Sequence, residues 1–413
     1  MRRTRPIIFI ALMLAASTLM PAVAEGASSD EEFLDKLEYD SLSYFAHEAN
    51  PANGLVKDSS RPGAPASVAA VGFGLTALCI GDFRGWLDTE QAYKRVLATL
   101  IAFRDKIPNE HGFFYHFLDM RTGARVWGSE LSSIDTALFV AGALLAGEYF
   151  KGTEAEKVSN EIYRRVDWPW MMNGRSVMCM GWKPEEGFLD YYWDTYSEAM
   201  ILYVLAICSP SHPISKEAWL AWKRPVASYK DFEVIHSYTG SIFTYQFSHA
   251  WIDFRSLYEG KTDFFTNSRS AIMANKQFCV DNSRLYRTYG ENCWGLTASI
   301  GPEGYKAYGA EPGEAFNDGT IAPYGMAASL TFTPTAALNG LKELNSRHGR
   351  FLYGRYGFKD AFNTDRDWWA EEYLGIDVGI TMLMIENYRT GMIWNKFMEL
   401  KPVKRWAEVC FKK

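Results

Sequence analysis

The 413-residue chain is poor in the groupings that organise metal and cofactor chemistry. Its seven histidines and six cysteines show no HExxH or CxxC spacing, so no structural zinc is expected. No G-x-S-x-G elbow is present. The one close His/Asp pair, His249 and Asp253 in HAWIDF, reads as a helix-surface contact, which leaves a Ser-His-Asp hydrolase unsupported. No P-loop or G-x-G-x-x-G follows a strand, so no cofactor is expected. Positive charge is scarce as well: 43 Lys and Arg stand against 49 Asp and Glu, a net charge of -6. Such a chain suits neither nucleic acid nor anionic polymers, and a lyase acting on uronates would need a basic cleft that is not evident. Low-complexity tracts, sequence repeats and linker-like breaks in composition are also missing, so one large domain is expected over residues 25–413.

Arg2, Arg3 and Arg5, the apolar run Ile7 to Met20 and the small-x-small triplet Ala22-Val23-Ala24 together read as a secretory leader. The run is too short for a comfortable membrane span. Cleavage after residue 24 would remove three positive charges and take the net charge to about -9. The remainder is expected in the periplasm or outside the cell, with no membrane partner after cleavage, and as a monomer. Export permits disulfides, and Cys279 with Cys293 is the expected pair, while Cys79 and Cys208 read as buried apolar residues.

Hydrophobic periodicity predicts helices over 31–49, 67–80, 88–107, 132–150, 153–166, 195–208, 215–224, 248–258, 263–281, 334–347, 368–374, 377–389 and 392–399. A hairpin is predicted over 111–128, turning at Thr122-Gly123. Residues 225–246 read as irregular with a β-like SIFTYQF, and 282–333 as long Gly/Pro-rich loops. Two helices, SIDTALFVAGALLA (133–146) and AMILYVLAIC (199–208), are apolar nearly all round, as inner helices must be. An all-α toroid of helical hairpins, the (α/α)6 barrel, suits these elements; a generic α-superhelix suits the periodicity almost as well.

Chemistry concentrates in WKPEEGFLDYYWDTYSEAM (182–200). It holds five carboxylates (Glu185, Glu186, Asp190, Asp194, Glu198) and six aromatics (Trp182, Phe188, Tyr191, Tyr192, Trp193, Tyr196). Flat apolar faces beside acids fit a neutral sugar, which needs stacking surfaces, hydroxyl acceptors and groups that move protons. Thr195 and Glu198 have capping-box spacing, and Ser132 to Asp135 opens a second apolar helix in the same style. Glu198 and Asp135 therefore have a structural reading as caps and a functional one as the carboxyl pair of a glycoside hydrolase. A general acid at a helix start needs desolvation or a nearby negative charge to stay protonated; Tyr192, Trp193 and Tyr196 would supply the first and Asp194 the second. Glu130, beside Trp127, is a third candidate. Asp318, Glu371 and Glu372 suit either sugar hydroxyls or loop hydrogen bonds. Arg389 is expected to pair with a structural acid such as Glu386.

The segments SSIDTALFVAGALLAGEYF (132–150), DYYWDTYSEAMILYVLA (190–206), YTGSIFTYQFSHAWIDF (238–254), NDGTIAPYGMAASLTFTP (317–334) and, within 356–391, YGFKDAFN and YLGIDVGITMLMIENYRTG resemble the bacterial glucoamylase-like family. Its characterised members resemble the endo-β-1,2-glucanases of glycoside hydrolase family 144, and the likeness runs from about Leu37 to Phe397. The resemblance implies an (α/α)6 barrel, metal-free catalysis, and inverting cleavage of β-1,2-glucan to sophoro-oligosaccharides, with a proton path through a substrate hydroxyl. It places the essential acids on Glu198 and Asp135, with Glu130 nearby. On that reading Glu198 is the general acid, Asp135 or Glu130 is the base or orients water, and Trp193, Tyr196, Trp127 and Trp294 stack on glucose rings, while Asp194, Asp318 and Glu372 bind hydroxyls. An exo-acting hydrolase or transglycosylase on the same barrel, and a non-catalytic glycan-binding protein, are the competing readings.

Overall fold

The computed structural model describes residues 23–411, with side chains from Ser29 onward. The expected leader lies outside the described residues apart from its last two. Among the described residues the first half carries α1 (Val23–His47), α2 (Val68–Phe83), α3 (Thr89–Asp105), α4 (Ser133–Tyr149), α5 (Glu154–Arg165), α6 (Trp168–Met171), α7 (Met200–Ile207) and α8 (Ala218–Ala221). The second half carries α9 (Phe264–Asp281), α10 (Pro323–Ala327), α11 (Pro334–Leu352), α12 (Gly375–Arg389), α13 (Met392–Phe397) and α14 (Lys401–Cys410). The strands are short antiparallel hairpins, apart from the long-range pair Ala66–Ser67 with Phe117–Leu118 and one three-stranded sheet formed by Leu131–Ser132, Gly181–Lys183 and Gly187–Phe188.

The helices sort into two layers by sequence pattern. Helices α2, α4 and α7 have almost no polar face, and nearly every residue in them is buried. Such helices must be covered on all sides. Helix α5 is the opposite case, with Ala155, Val158, Ile162 and Tyr163 buried against α4 and charges on the outer face. Within the inner layer α2 packs on α4, α4 on α7, and α12 on both α2 and α10. A pair of 3-10 turns (Ile242–Tyr245 and Phe247–Ala250) fills the gap between α7 and α10. Ser248 Oγ accepts from Ile201 N at 2.9 Å, and Gln246 Nε2 donates to Gly325 O at 2.9 Å. Helix α1 covers α12, α3 covers α2 and α5, and α11 covers α10.

The tightest inner contact is made by glycine. A Cβ at Gly142 on α4 would lie 2.0 Å from the carbonyl oxygen of Gly72 on α2, and one at Gly72 would lie 2.3 Å from Leu138 O. The two backbones therefore touch directly, which no larger residue permits.

Several sequence expectations give way to tertiary contacts. Helix α7 starts at Met200, capped by Ala199 without a side-chain bond, so the Thr195–Glu198 capping box does not form. Thr195 instead pairs with Lys223, and Tyr196 N donates to Lys223 O at 3.0 Å, which keeps this stretch extended. The Ser132 cap of α4 does form. Residues 215–224 yield only α8, and 368–374 holds a strand, Trp368–Trp369, where a helix was expected. Residues 226–235 form a hairpin, and both SIFTYQF and the expected 248–258 helix give way to 3-10 turns and loop. The expected hairpin turning at Thr122-Gly123 forms over its inner part, where Leu118 bridges Arg125 and Asp119 N donates to Ala124 O at 2.7 Å, and its strand Phe117–Leu118 pairs on the other side with Ser67 and Ala66.

Three pairings also change. All six cysteines are free thiols, including Cys279 and Cys293. His249 is fully buried against Ser268 Oγ, so burial pushes its imidazole down to about 3, while Asp253 binds Arg255. Arg389 binds Glu31, Asp35 and Glu38; Glu386 is taken by Arg84.

Candidate active site

The starts of α2, α4 and α12 are stitched together by loop backbone. Val68 N at the head of α2 donates to His116 O at 3.1 Å, His116 N donates to Glu130 O at 2.9 Å, and Gly375 N at the head of α12 donates to Asp58 O at 2.7 Å. This brings Asp58, His116, Glu130, Asp135 and Asp377 to one end of the inner layer. Glu198 joins them just before α7, where its carbonyl accepts from Ser248 Oγ at 2.5 Å.

Asp135 is oriented by its own helix cap. Ser132 Oγ accepts from Asp135 N at 3.2 Å and donates to Asp135 Oδ2 at 2.5 Å. The other oxygen, Oδ1, faces His116 Nε2 at 3.6 Å, while His116 Nδ1 lies 3.0 Å from Glu130 Oε1. Burial alone would discharge this imidazole. Asp135, then Glu130 and Asp58, outweigh it and lift the ring to about 9, so it stands as a cation between two carboxylates. Burial in turn would raise Glu130, but the hydrogen bond and charge of His116 hold it below its usual range.

Glu198 has no such partner. Burial, and then the charge of Asp135, push its carboxyl up to about 7. The charge expected from Asp194 thus comes from Asp135; Asp194 is turned outward to Lys223 at 2.8 Å. Asp58 is lifted to about 6 by burial and, to a lesser degree, by Asp135.

A second carboxyl pair stands at α12. Asp377 in its first turn and Asp360 from the preceding loop are both buried and hydrogen-bonded to each other. Burial, and then the Asp360 charge, drive Asp377 far above the usual carboxylate range, and burial lifts Asp360 to about 6. Two carboxyls in contact cannot both ionise cheaply, so the pair shares a proton. Asp360 Oδ2 also accepts from Ile300 N at 2.6 Å, while Asp360 Oδ1 and Asp377 Oδ2 are buried with no partner outside the pair.

A cavity of about 590 Å³ opens beside these groups, lined by Asp58, Arg61, His116, Phe117, Trp127 and Tyr305 among others. That volume suits a bound sugar segment. One wall is an aromatic ladder: His116 stacks on Phe117 at 3.8 Å, and Phe117 meets Trp127 at 5.1 Å. Trp127 is 73% exposed with a left-handed φ of 58°, unusual for a bulky residue and typical of a functional surface.

The structure thus gathers Glu198, Asp135, Glu130 and Trp127, and separates the other candidates from them. Tyr196 and Trp294 are fully buried and cannot stack on a sugar; Tyr196 stacks on Tyr245 at 5.2 Å. Trp193 is half-buried and donates from Nε1 to Ser133 Oγ at 2.9 Å, bracing the head of α4. Asp318 accepts from Thr320 N at 3.0 Å and from Asn363, a loop-holding role. Glu372 binds Arg61 at the cavity rim, and Glu371 is exposed. Asp58, His116, Tyr305, Asp360 and Asp377 were not anticipated. One signal was available: GIDVGIT opens α12 as SIDTALF opens α4, with an aspartate at the same place in each apolar helix.

Comparison with known proteins shows the family of the chain. The family described as "Putative glucoamylase" matches residues 190–401, more than half of the chain. A Parabacteroides distasonis protein described as an exo β-1,2-glucooligosaccharide sophorohydrolase acting at the non-reducing end is 30% identical over 91% of this chain, which spans 57% of that protein. The structure of an endo-β-1,2-glucanase from Chitinophaga pinensis, in complex with sophorotriose and glucose, superposes with a TM-score of 0.86 at 26% identity, covering 92% of this chain and 97% of the other. A β-1,2-glucanase structure from Parabacteroides distasonis gives 0.84 at 28% identity, covering 92% and 60%.

Proposed function

From the premise that the chain belongs to the glucoamylase-like family, we propose that it is a glycoside hydrolase cleaving β-1,2-glucan internally to sophoro-oligosaccharides, with inversion at the anomeric carbon. The observation that carries this reading is Glu198: a carboxyl without a cationic partner, lifted to about 7, at the same end of the inner layer as a cavity lined by Asp58, His116 and aromatics. A carboxyl poised there is a general acid near neutral pH. The six inner elements, closing from α2 round to α12, are taken as the inner ring of an (α/α)6 toroid forming one domain. The chain is taken to work as an exported monomer.

In this mechanism Glu198 protonates the glycosidic oxygen as the C1–O bond breaks, and water attacks C1 from the opposite face. The water proton goes to Asp377, which passes its own proton to Asp360. Asp135 and Glu130 suit the role of base less well, because His116 holds both of them. Their charges keep the imidazolium in place, and Asp135 keeps Glu198 protonated. Asp58 and Trp127 bind the sugar.

The Parabacteroides relative described as an exo sophorohydrolase favours a second reading, release of sophorose from chain ends. The test is incubation with linear β-1,2-glucan beside β-1,3-, β-1,4- and α-1,4-glucans, with product chromatography over time. A falling ladder of oligosaccharides supports internal cutting, and sophorose alone from the first minutes supports the exo reading. Activity on α-1,4-glucan only would reverse the substrate assignment.

A further inference from the structure

The hairpin Ala298–Gly301/Gly304–Ala307 carries one side chain out of keeping with a structural strand. Tyr305 is 59% exposed, yet it lines the cavity beside Asp58, His116 and Trp127. Its hydroxyl is pushed far up, by burial first and then by Asp377, Asp360, Asp58 and Glu198 in turn. A side chain with a large free surface that feels four carboxyls from separate segments stands inside the cavity rather than outside the protein.

The hairpin holds it there. Tyr305 is paired in register with Ile300, whose N–H is the donor to Asp360 Oδ2 at 2.6 Å. At the turn, Glu303 is bound by Lys306 at 2.7 Å and Arg366 at 2.9 Å. Tyr305 is therefore fixed with respect to the Asp360–Asp377 pair by one strand register and one short hydrogen bond, the kind of supported placement that positions a substrate.

We propose that Tyr305 is a substrate-positioning residue: its ring packs on the apolar face of the glucosyl unit at the point of cleavage, and its phenol O–H donates to one of that unit's hydroxyls. An aromatic ring with a polar tip provides both contacts at once. The proposal rests on the β-1,2-glucanase reading. Because the side chain is largely exposed, its replacement leaves the fold intact, and thermal melts of the variants check this.

The experiment compares kcat and KM of the wild type, Tyr305→Phe and Tyr305→Ala on β-1,2-gluco-oligosaccharides of defined length. Tyr305→Phe is expected to lower kcat roughly tenfold with little change in KM, since only a positioning hydrogen bond is lost. Tyr305→Ala is expected to show the same fall in kcat and, in addition, a KM raised about tenfold through loss of the stacking face. Values within twofold of the wild type for both variants overturn the inference, as do equal losses accompanied by a lower melting temperature. A wild-type chain inactive on β-1,2-glucan removes the functional reading and this inference together, whereas an active wild type with normal variants removes this inference alone.

Discussion

His116 Nδ1 lies 3.0 Å from Glu130 Oε1, and with Asp135 on the other side of the ring this contact makes the histidine a fixed cation at the cavity wall. Its ring is lifted from an ordinary value near 6.5 to about 9. The stabilisation is therefore fully present below about pH 6.5 and is lost as pH rises through 9. His116→Gln should lower stability by about 1–3 kcal/mol near pH 6, the cost of leaving its acids unpaired. The gap to wild type should close between pH 6.5 and 9 in denaturant titrations; a gap independent of pH would show that the imidazole is uncharged.

Glu198→Gln should reduce kcat by about 10²–10⁴-fold on β-1,2-glucan, the usual worth of a positioned proton donor. Helix α7 has no side-chain cap, so the variant should melt no lower than wild type. With a folded value of about 7 against an ordinary 4.5, ionisation of Glu198 destabilises the fold increasingly as pH rises from 4.5 to 7. The variant should therefore gain on wild type across that window. A full retention of turnover would remove Glu198 from the chemistry.

The alkaline limb of the activity profile should carry the same group. Activity is expected to fall as pH rises through about 7, where Glu198 loses the proton it must donate. A profile of kcat/KM flat to pH 9 would contradict this.

Asp377→Asn should lower kcat by two orders of magnitude or more with the fold retained, because the acceptor for the water proton is gone. Asp360→Asn should also lower kcat, by less, since Asp377 keeps its place but loses the neighbour that takes its proton. Equal activity of wild type and Asp377→Asn, measured on the same oligosaccharide, would return the role of base to Asp135 or Glu130.

Gly142→Ala should cost about 1–3 kcal/mol, the usual penalty for overpacking, because its methyl would stand 2.0 Å from Gly72 O and a backbone carbonyl has no room to retreat. Urea unfolding of the purified variant reads this directly. A loss under 0.5 kcal/mol would mean that α2 and α4 can slide apart.

The apolar helices were legible because their signal is local. SIDTALFVAGALLA and AMILYVLAIC have no face that tolerates water, so both had to be inner helices. The acid-and-aromatic stretch 182–200 likewise marked Glu198. The capping box was misread because Thr195 has a competing partner, Lys223, that no local pattern reveals. Tyr196 and Trp294 were misplaced for a related reason: an aromatic's sequence neighbours do not say whether its ring meets solvent or core.

By itself the sequence determined the helical class, the two-layer sorting of helices, the shortage of metal and nucleotide motifs, the family resemblance and three acids, Glu198, Asp135 and Glu130. Tertiary structure decided what those acids can do. Asp58, His116, Asp135, Glu198, Asp360 and Asp377 come from six separate segments, and their charge states depend on burial and on one another. Desolvation and Coulomb forces act through space over several ångströms, so they follow where the helix starts converge and not the order of residues along the chain.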